Sequence, residues 1–376
     1  MPAAPDLPPR DEDRITISVN GAAYAGWLQS EVQRDLETLA GIASIPVSMI
    51  PGQPPDIKRQ DKAEVRIGQT LVMTGFVMAA APFYRRADCG MRVQVRDRTG
   101  DLVRSSAIYQ GGHWRKATLE RICRDLAGPF GIDVVVAPGV EVGDPIADFR
   151  LWHGETVLDA MARAARLRGV LLSRDQTSRV LLTRAGLERF AGAIIRGQNA
   201  IAMDDVGSDE GRHSEYRAYG QSNVSSGNWE AAWGIKAVAR DEEVKRYLPL
   251  VINADGNTTQ ADLQRLVDHT ARVRRGHSMG LRYLIEGWTW AGQSWPINQR
   301  VQVFDDVAVA KAGEEWLIVR TRQTCDVHDG AVTELLLRPI EAYDTVPLKT
   351  KRKIRRWGGS EHSGDRVSGP TDKARQ

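Results

Sequence analysis

Apolar and polar residues alternate at Ile15, Ile17 and Val19, and Asn20-Gly21 follows directly. Period-two alternation puts one face of a strand in a core and the other in water, and Asn-Gly accepts the positive φ of a tight hairpin turn. Pro46 to Pro55 is turn-rich. Val65-Arg66-Ile67, a Gly68-Gln69 turn and Leu71 to Met78 come next, and Met91, Val93 and Val95 alternate again. Four or more short strands in about a hundred residues predict a small barrel or sandwich.

The period changes in the middle. Thr118 is placed to cap a helix carrying Leu119, Ile122, Cys123 and Leu126 on one face, and Gly128-Pro129 stops it. Val134 to Val136 is a short strand. A second helix is expected from about Glu155 to Arg168, with Val157, Met161, Ala164 and Ala165 inward and Gly169 as terminator. Val170 to Leu172 and Val180 to Leu182 form a hairpin about the polar turn Asp175 to Ser178. Residues 113–200 therefore look like a compact unit of mixed helix and strand.

The last region returns to strands with one helical interruption. Thr259 and Asp262 have capping-box spacing, Leu263, Leu266 and Val267 continue the helix, and Arg272, Arg274 and Arg275 close it. Strands follow at Leu281 to Ile285, Val301 to Phe304, Leu317 to Thr321 and Thr333 to Arg338. Residues 51–97 and 296–338 share a weak repeat of strand order and spacing, without shared identities. Generic strand–turn rhythm would also produce such a match.

Composition narrows the function classes. Hydrophobic residues make up 42% of the 376, enough for a real core, and length alone suggests two or three domains. Met1 to Arg10 is Pro-rich with no apolar run of a secretory signal, and no stretch approaches the roughly 18 apolar residues of a spanning helix. A soluble, cytosolically folded product without membrane insertion is expected. Cys89, Cys123 and Cys325 are far apart, so buried structural thiols fit better than a disulfide framework. Net charge is +3, but Lys349 to Gln376 holds nine Lys and Arg against three Asp and Glu, leaving the remainder slightly acidic. Such a body lacks the basic face that binds phosphates. The basic tail is either a solvated arm or a segment that binds an acidic partner or DNA.

Motifs for chemistry are sparse. The histidines His113, His153, His213, His269, His277, His328 and His362 show no metal-site spacing, and no phosphate loop, nucleophile elbow or dinucleotide turn occurs. Asp204-Asp205 and Asp209-Glu210 could form a carboxylate pair for glycan cleavage, although solvated loop acids are the commoner explanation. No catalytic, cofactor-binding or metal residue is assigned. Six of ten tryptophans fall between Trp229 and Trp316. Trp288 and Trp290, two apart, would share a strand face. Core packing is the default, a subunit interface fits such a dense cluster, and a sugar or single-strand platform is a third reading.

The chain resembles the baseplate hub family of Mu-type phages, related to the hub of T-even phages. Ile17 to Trp27, Arg96 to Val103, Pro129 to Ile132, Gly154 to Val157, Gly169 to Asp175, Arg246 to Leu250 and Gly287-Trp288 carry the likeness, in order, over roughly 14–345. The tail after Pro347 is unmatched. The resemblance implies an α+β, mainly β chain with two similar small antiparallel β-barrel modules flanking an α/β module, assembling as a trimeric ring. It divides the chain into a lead-in (1–13), a first β-barrel module (14–112), an α/β module (113–210), a second β-barrel module (211–346, helical insertion near 258–276) and a basic tail (347–376). It implies a non-enzymatic homotrimer without cofactors, placed in the virion tail baseplate and assembled in the bacterial cytoplasm. Its partners would be the central spike, the six-fold tail tube and other baseplate proteins, with DNA passing through unbound. The alternatives are a tail-associated cell-wall hydrolase acting near Asp204 and Asp205, the equivalent hub of a contractile injection device, and a carbohydrate-binding module using exposed tryptophans.

Overall fold

The computed structural model describes residues 15–26, 29–50, 52–86, 89–221, 235–257, 259–308, 310, 312–326 and 330–345. The lead-in, the basic tail, Trp27, Trp229 and Trp233 lie outside them. Strands β1 (Ile15–Val19) and β2 (Ala22–Gly26) make the expected hairpin, with Asn20 and Gly21 at φ 52° and 82°. Strands β3 (Ser30–Asp35), β4 (Ile42–Ser48), β5 (Lys62–Ile67), β6 (Thr70–Tyr84) and β7 (Cys89–Asp97) complete the first half. Their order is β3-β4-β7-β6-β5-β1-β2, and alternate residues such as Ile17, Ile45, Val65 and Val93 fill one core. A short helix α1 (Gly100–Arg104) leads out.

The middle unit holds β8 (His113–Ala117), α2 (Leu119–Ala127), β9 (Val134–Val136), β10 (Ile146–Arg150), α3 (Val157–Arg166), β11 (Leu171–Arg174) and β12 (Val180–Thr183). Thr118 and Thr156 cap the two longer helices by accepting the Arg121 and Asp159 N–H groups. Their apolar stripes, with Ile122, Leu126, Met161 and Ala164, pack on a sheet of order β11-β12-β9.

Strands β13 (Glu188–Ile195) and β14 (Ala200–Asp205) follow, then β15 (Glu215–Gln221), β16 (Ile235–Arg240), β17 (Pro249–Asn257) and α4 (Gln260–Ser278). The helical interruption is thus a small α/β unit. Sheet β16-β15-β17 supports α4 through Leu263 and Val267 against Tyr216, Ala218 and Ala237, and Thr259 and Asp262 form the capping box. The chain ends in β18 (Leu281–Glu286), the two-residue pair β19 (Thr289–Trp290) and β20 (Gln293–Ser294), β21 (Gln299–Phe304), β22 (Glu314–Asp326) and β23 (Gly330–Arg338). Although they precede residue 211, β13 and β14 pair with β21 and β18 of this last set.

The weak sequence repeat has a structural counterpart. Hydrogen-bonded order runs β1-β5-β6-β7-β4-β3 in one half and β13-β21-β22-β23-β18-β14 in the other. A shift of 241 residues carries β7 onto β23. It also carries the β6 bulge at Val77/Ala79 onto the β22 bulge at Ile318/Arg320. At each bulge a positive-φ residue, Gln60 or Asn298, donates its N–H to the carbonyl of Val77 or Ile318 at 2.8 Å. One difference stands: β1 is antiparallel to β5, whereas β13 is parallel to β21.

The expectation of two separate barrels needs correction. Thirteen strands form one sheet, because β3 of the first half pairs with β22 of the second from Ser30↔Cys325 to Asp35↔Arg320. Among the described residues no ladder closes either half on itself. An edge strand presents unpaired N–H and C=O groups, and here the second half satisfies those of the first.

Candidate functional site

The joint between the halves is built from polar side chains. Arg34 on β3 is buried, and its Nη2 donates to Ser294 Oγ (2.9 Å) and the Trp295 carbonyl (2.5 Å). Gln323 on β22 donates to the same hydroxyl at 3.0 Å. Burial, and then the Arg174 guanidinium, push the Arg34 pKa below its ordinary value. Further out, Arg320 pairs with Asp35 (2.6 Å) and Arg322 with Glu31 through two contacts (2.8 and 3.2 Å), so the acids lie on β3 and the bases on β22. Strand pairing brings each of these cross-strand neighbours within reach.

A second joint ties the middle unit to the first half. Asp97 at the end of β7 pairs with Arg174 of β11 at 2.7 Å, both buried. Thr99 N–H (2.9 Å), Thr99 Oγ (2.7 Å) and Ser178 Oγ (2.9 Å) also donate to that carboxylate. Four donors saturate its two oxygens, the condition under which a buried charge is tolerated.

The tryptophans belong mainly to the interior. Trp288, Trp290, Trp295 and Trp316 are buried. Trp288 and Trp290 do not share a face. Trp288 enters the first half's core and donates to the Thr324 carbonyl at 2.9 Å, whereas Trp290 enters the second half's core. Trp288 thereby pins the halves together. Among the described tryptophans the exposed one is Trp152 in the middle unit, 64% accessible, with the Arg163 guanidinium 4.3 Å from its centroid.

Asp205 and Asp209 line one surface cavity, whereas Asp204 lines another. Asp204 pairs with Arg282 at 2.7 Å, and Asp205 accepts the Gly207 N–H at 2.8 Å. Asp209 contacts Arg212, which also binds Asp241 and Glu243. Among the described residues no group of three or more His, Cys, Asp or Glu is arranged to hold a metal ion, and no helix is long and apolar enough to cross a membrane. The three cysteines form no disulfide; Cys123 is buried, and burial pushes its thiol up to about 12, whereas Cys89 and Cys325 are half-buried.

What remains as working surface is strand edge. Among the described residues no ladder forms on the outer side of β14, and its residues are mostly exposed, Ile201 at 55%. Strand β6 overshoots β5: their ladder ends at Phe76, while β6 continues to Tyr84, 86% exposed. Open edges on a large sheet suit an assembly component.

Comparison with known proteins agrees. The baseplate hub protein gp44 of Escherichia phage Mu is 31% identical over 354 residues, 92% of this chain and 93% of the relative. The chain belongs to the Mu baseplate hub family. A profile of the Mu phage baseplate assembly protein GpP-like N-terminal domain matches residues 14–97, and one of the second domain of gp44-like hubs matches 99–184. The 43 kDa tail protein of prophage MuSo2 from Shewanella oneidensis has a similar structure, with TM-score 0.75 and 28% identity over 89% of this chain and all of that one. A type VI secretion component of E. coli, described as similar to the T4 tail proteins gp27 and gp5, shares the fold at TM-score 0.55 and 10% identity over 89% of this chain and 80% of that one. The role is therefore structural, in the baseplate of a contractile tail. Sequence reasoning missed the Arg34 network and the β3–β22 joint; the one signal available was the acidic and basic alternation of Glu31 to Asp35 and Arg320 to Arg322.

Proposed function

We propose that three copies of this chain form a ring that adapts the six-fold tail tube to the three-fold central spike and leaves a channel for DNA. The observation that carries this reading is the repeat: each chain contributes two halves of the same strand order, so three chains supply six similar units. The slightly acidic body suits a conduit that does not hold DNA. The chain acts without catalysis, docks spike, tube and neighbouring baseplate proteins, and assembles in the host cytoplasm before taking its place in the virion tail. The far higher identity to the phage Mu hub than to the secretion component favours a phage tail over an injection device. Light scattering across a concentration series tests the ring. A mass near three times 41.6 kDa is expected, reached alone or on addition of the spike. A chain monomeric under both conditions overturns it. Cell-wall lysis lost in Asp205→Ala would move the protein to the hydrolase class.

A further inference from the structure

The internal repeat predicts which edges meet between copies. Within the chain, β3 adds to β22 beyond the bulge, over Arg320 to Cys325. The shift of 241 residues that superposes β23 on β7 carries Arg320–Cys325 onto Ala79–Tyr84, the overshooting end of β6. The counterpart of β3 is β14. Gln33 lies opposite Ile42 on β4, and Asp205 opposite Leu281 on β18, with matching registers on the next strand. Among the described residues, both counterparts lack the partner that the in-chain joint provides.

Burial marks the difference. Ser30, Val32, Arg34 and Asp35 of β3 are buried beneath β22, and Thr321 and Gln323 of β22 are fully covered. At the corresponding places Ala202, Asp204, Gly207 and Pro82 are exposed, and Val206 and Ala80, in the places of Arg34 and Thr321, are half-buried. The two free edges therefore have the geometry of a joint and less of its cover.

We propose that β14 of one copy adds, antiparallel, to residues 79–84 of β6 in a second copy, repeating between chains the β3–β22 joint within the chain. This rests on the ring reading above and specifies its contact. The transferred register sets Ala79 against Gly207, Ala81 against Asp205, Phe83 against Met203 and Tyr84 against Ala202. The places of Glu31 and Asp35 hold Met203 and Gly207, but the arriving strand still carries acids, Asp204 (paired with Arg282) and Asp205. Arg92, opposite Ala81 on β7, is the base on the receiving side, able to reach over that small side chain. In β22 the carbonyls of Val319 and Cys325 point at the β3 side. Backbone alternation then turns Ala80, Pro82 and Tyr84 outward, so Pro82 removes one donor from the new ladder without disturbing β7. Each copy carries one arriving and one receiving edge, so the contact is head-to-tail and closes into a ring.

The test is a register-specific disulfide in the full chain. Ala81 and Asp205 would form a non-hydrogen-bonded cross-strand pair with Cα atoms about 4.5 Å apart, within disulfide reach. Mild oxidation of Ala81→Cys/Asp205→Cys should give a reducible band at three times the chain mass. Mixing the two single variants should give dimers only. The pair Ala81→Cys/Asp204→Cys, whose side chains point to opposite faces, should stay uncrosslinked. A trimer by light scattering that forms no Ala81–Asp205 link, or links the control pair equally, overturns this pairing and leaves the ring intact. A chain that stays monomeric with and without the spike and forms no link overturns both.

Discussion

Replacing Asp97 by alanine should be among the most damaging single changes in the chain. Asp97 and Arg174 are 0% and 2% exposed, so the remaining guanidinium cannot turn to water. Removing one partner of a buried pair costs about 3–5 kcal/mol because the other charge stays uncompensated. Arg34, a second buried cation near Arg174, adds repulsion that Asp97 now offsets. Thr99 also loses the acceptor of its N–H and hydroxyl, and a donor left unsatisfied in the interior costs about 1–3 kcal/mol, whereas Ser178 keeps the Thr74 carbonyl at 2.7 Å. The opposite change, Arg174→Met, is milder, since the carboxylate keeps Thr99 and Ser178. A unit the size of residues 15–184 shifts its melting point by roughly 2–4 °C per kcal/mol, so Asp97→Ala should lower the first thermal transition by roughly 10 °C or more. The double variant Asp97→Ala/Arg174→Met should recover at least about 1 kcal/mol relative to the sum of the singles, as expected for a contacting pair. Calorimetry with tryptophan fluorescence would read both. A shift below about 2 °C in Asp97→Ala, or strict additivity, would refute the view that this pair holds the middle unit to the first half.

Three further outcomes follow from burial and exposure. Trp288→Ala should cost about 3–5 kcal/mol and destabilise both halves, because its ring sits in one core while its chain segment belongs to the other. Trp152→Ala, at the surface over Arg163, should cost within about 1 kcal/mol, and urea midpoints of the two variants would expose any reversal. His277 packs edge-on to Tyr343, and burial first, then Arg338, hold its pKa below the ordinary 6.5. The unfolded chain therefore binds this proton more readily. Its contribution to stability is present above pH 6.5 and is lost as pH falls through the lower folded value. His277→Gln should flatten that acid-side slope, and an unchanged stability–pH profile would show that other groups set it.

The strands read from alternation, such as Ile15 to Val19 and Met91 to Val95, were legible because each has one face in a core and one near water. The helices were legible from Thr118, Thr156 and Thr259, whose caps act within a single turn. Strand β3 was not. Its sequence, Ser-Glu-Val-Gln-Arg-Asp, reads as loop, yet the second half covers it and supplies acceptors for Arg34. That information lies about 260 residues away and leaves no local period. The pairing of Trp288 and Trp290 failed for a related reason: Gly287 at φ 82° bends the chain before Trp288, and the two rings leave for different cores. The joining of two modules into one sheet is likewise a property of edges, which spacing alone does not encode.

The polarity of the β3–β22 joint bears on the order in which the assembly forms. Two bare strand edges pair in many registers, and apolar side chains would strengthen several of them alike. Arg34 removes that freedom. Only the observed register puts its guanidinium against Ser294 and the Trp295 carbonyl; a slip would bury a cation without acceptors, at a cost of about 3–5 kcal/mol. The exposed counterpart edges have no such device. The places corresponding to Arg34 and Thr321 hold Val206 and Ala80, and Pro82 withholds a donor where Gln323 supplies one. A contact made there is weaker and less exacting than the one inside the chain. The chain must therefore settle its own two halves first, fixing the spacing between the arriving and receiving edges. On the proposed pairing, neighbouring copies would then meet on surfaces already held in place, so that a weaker joint could close the ring.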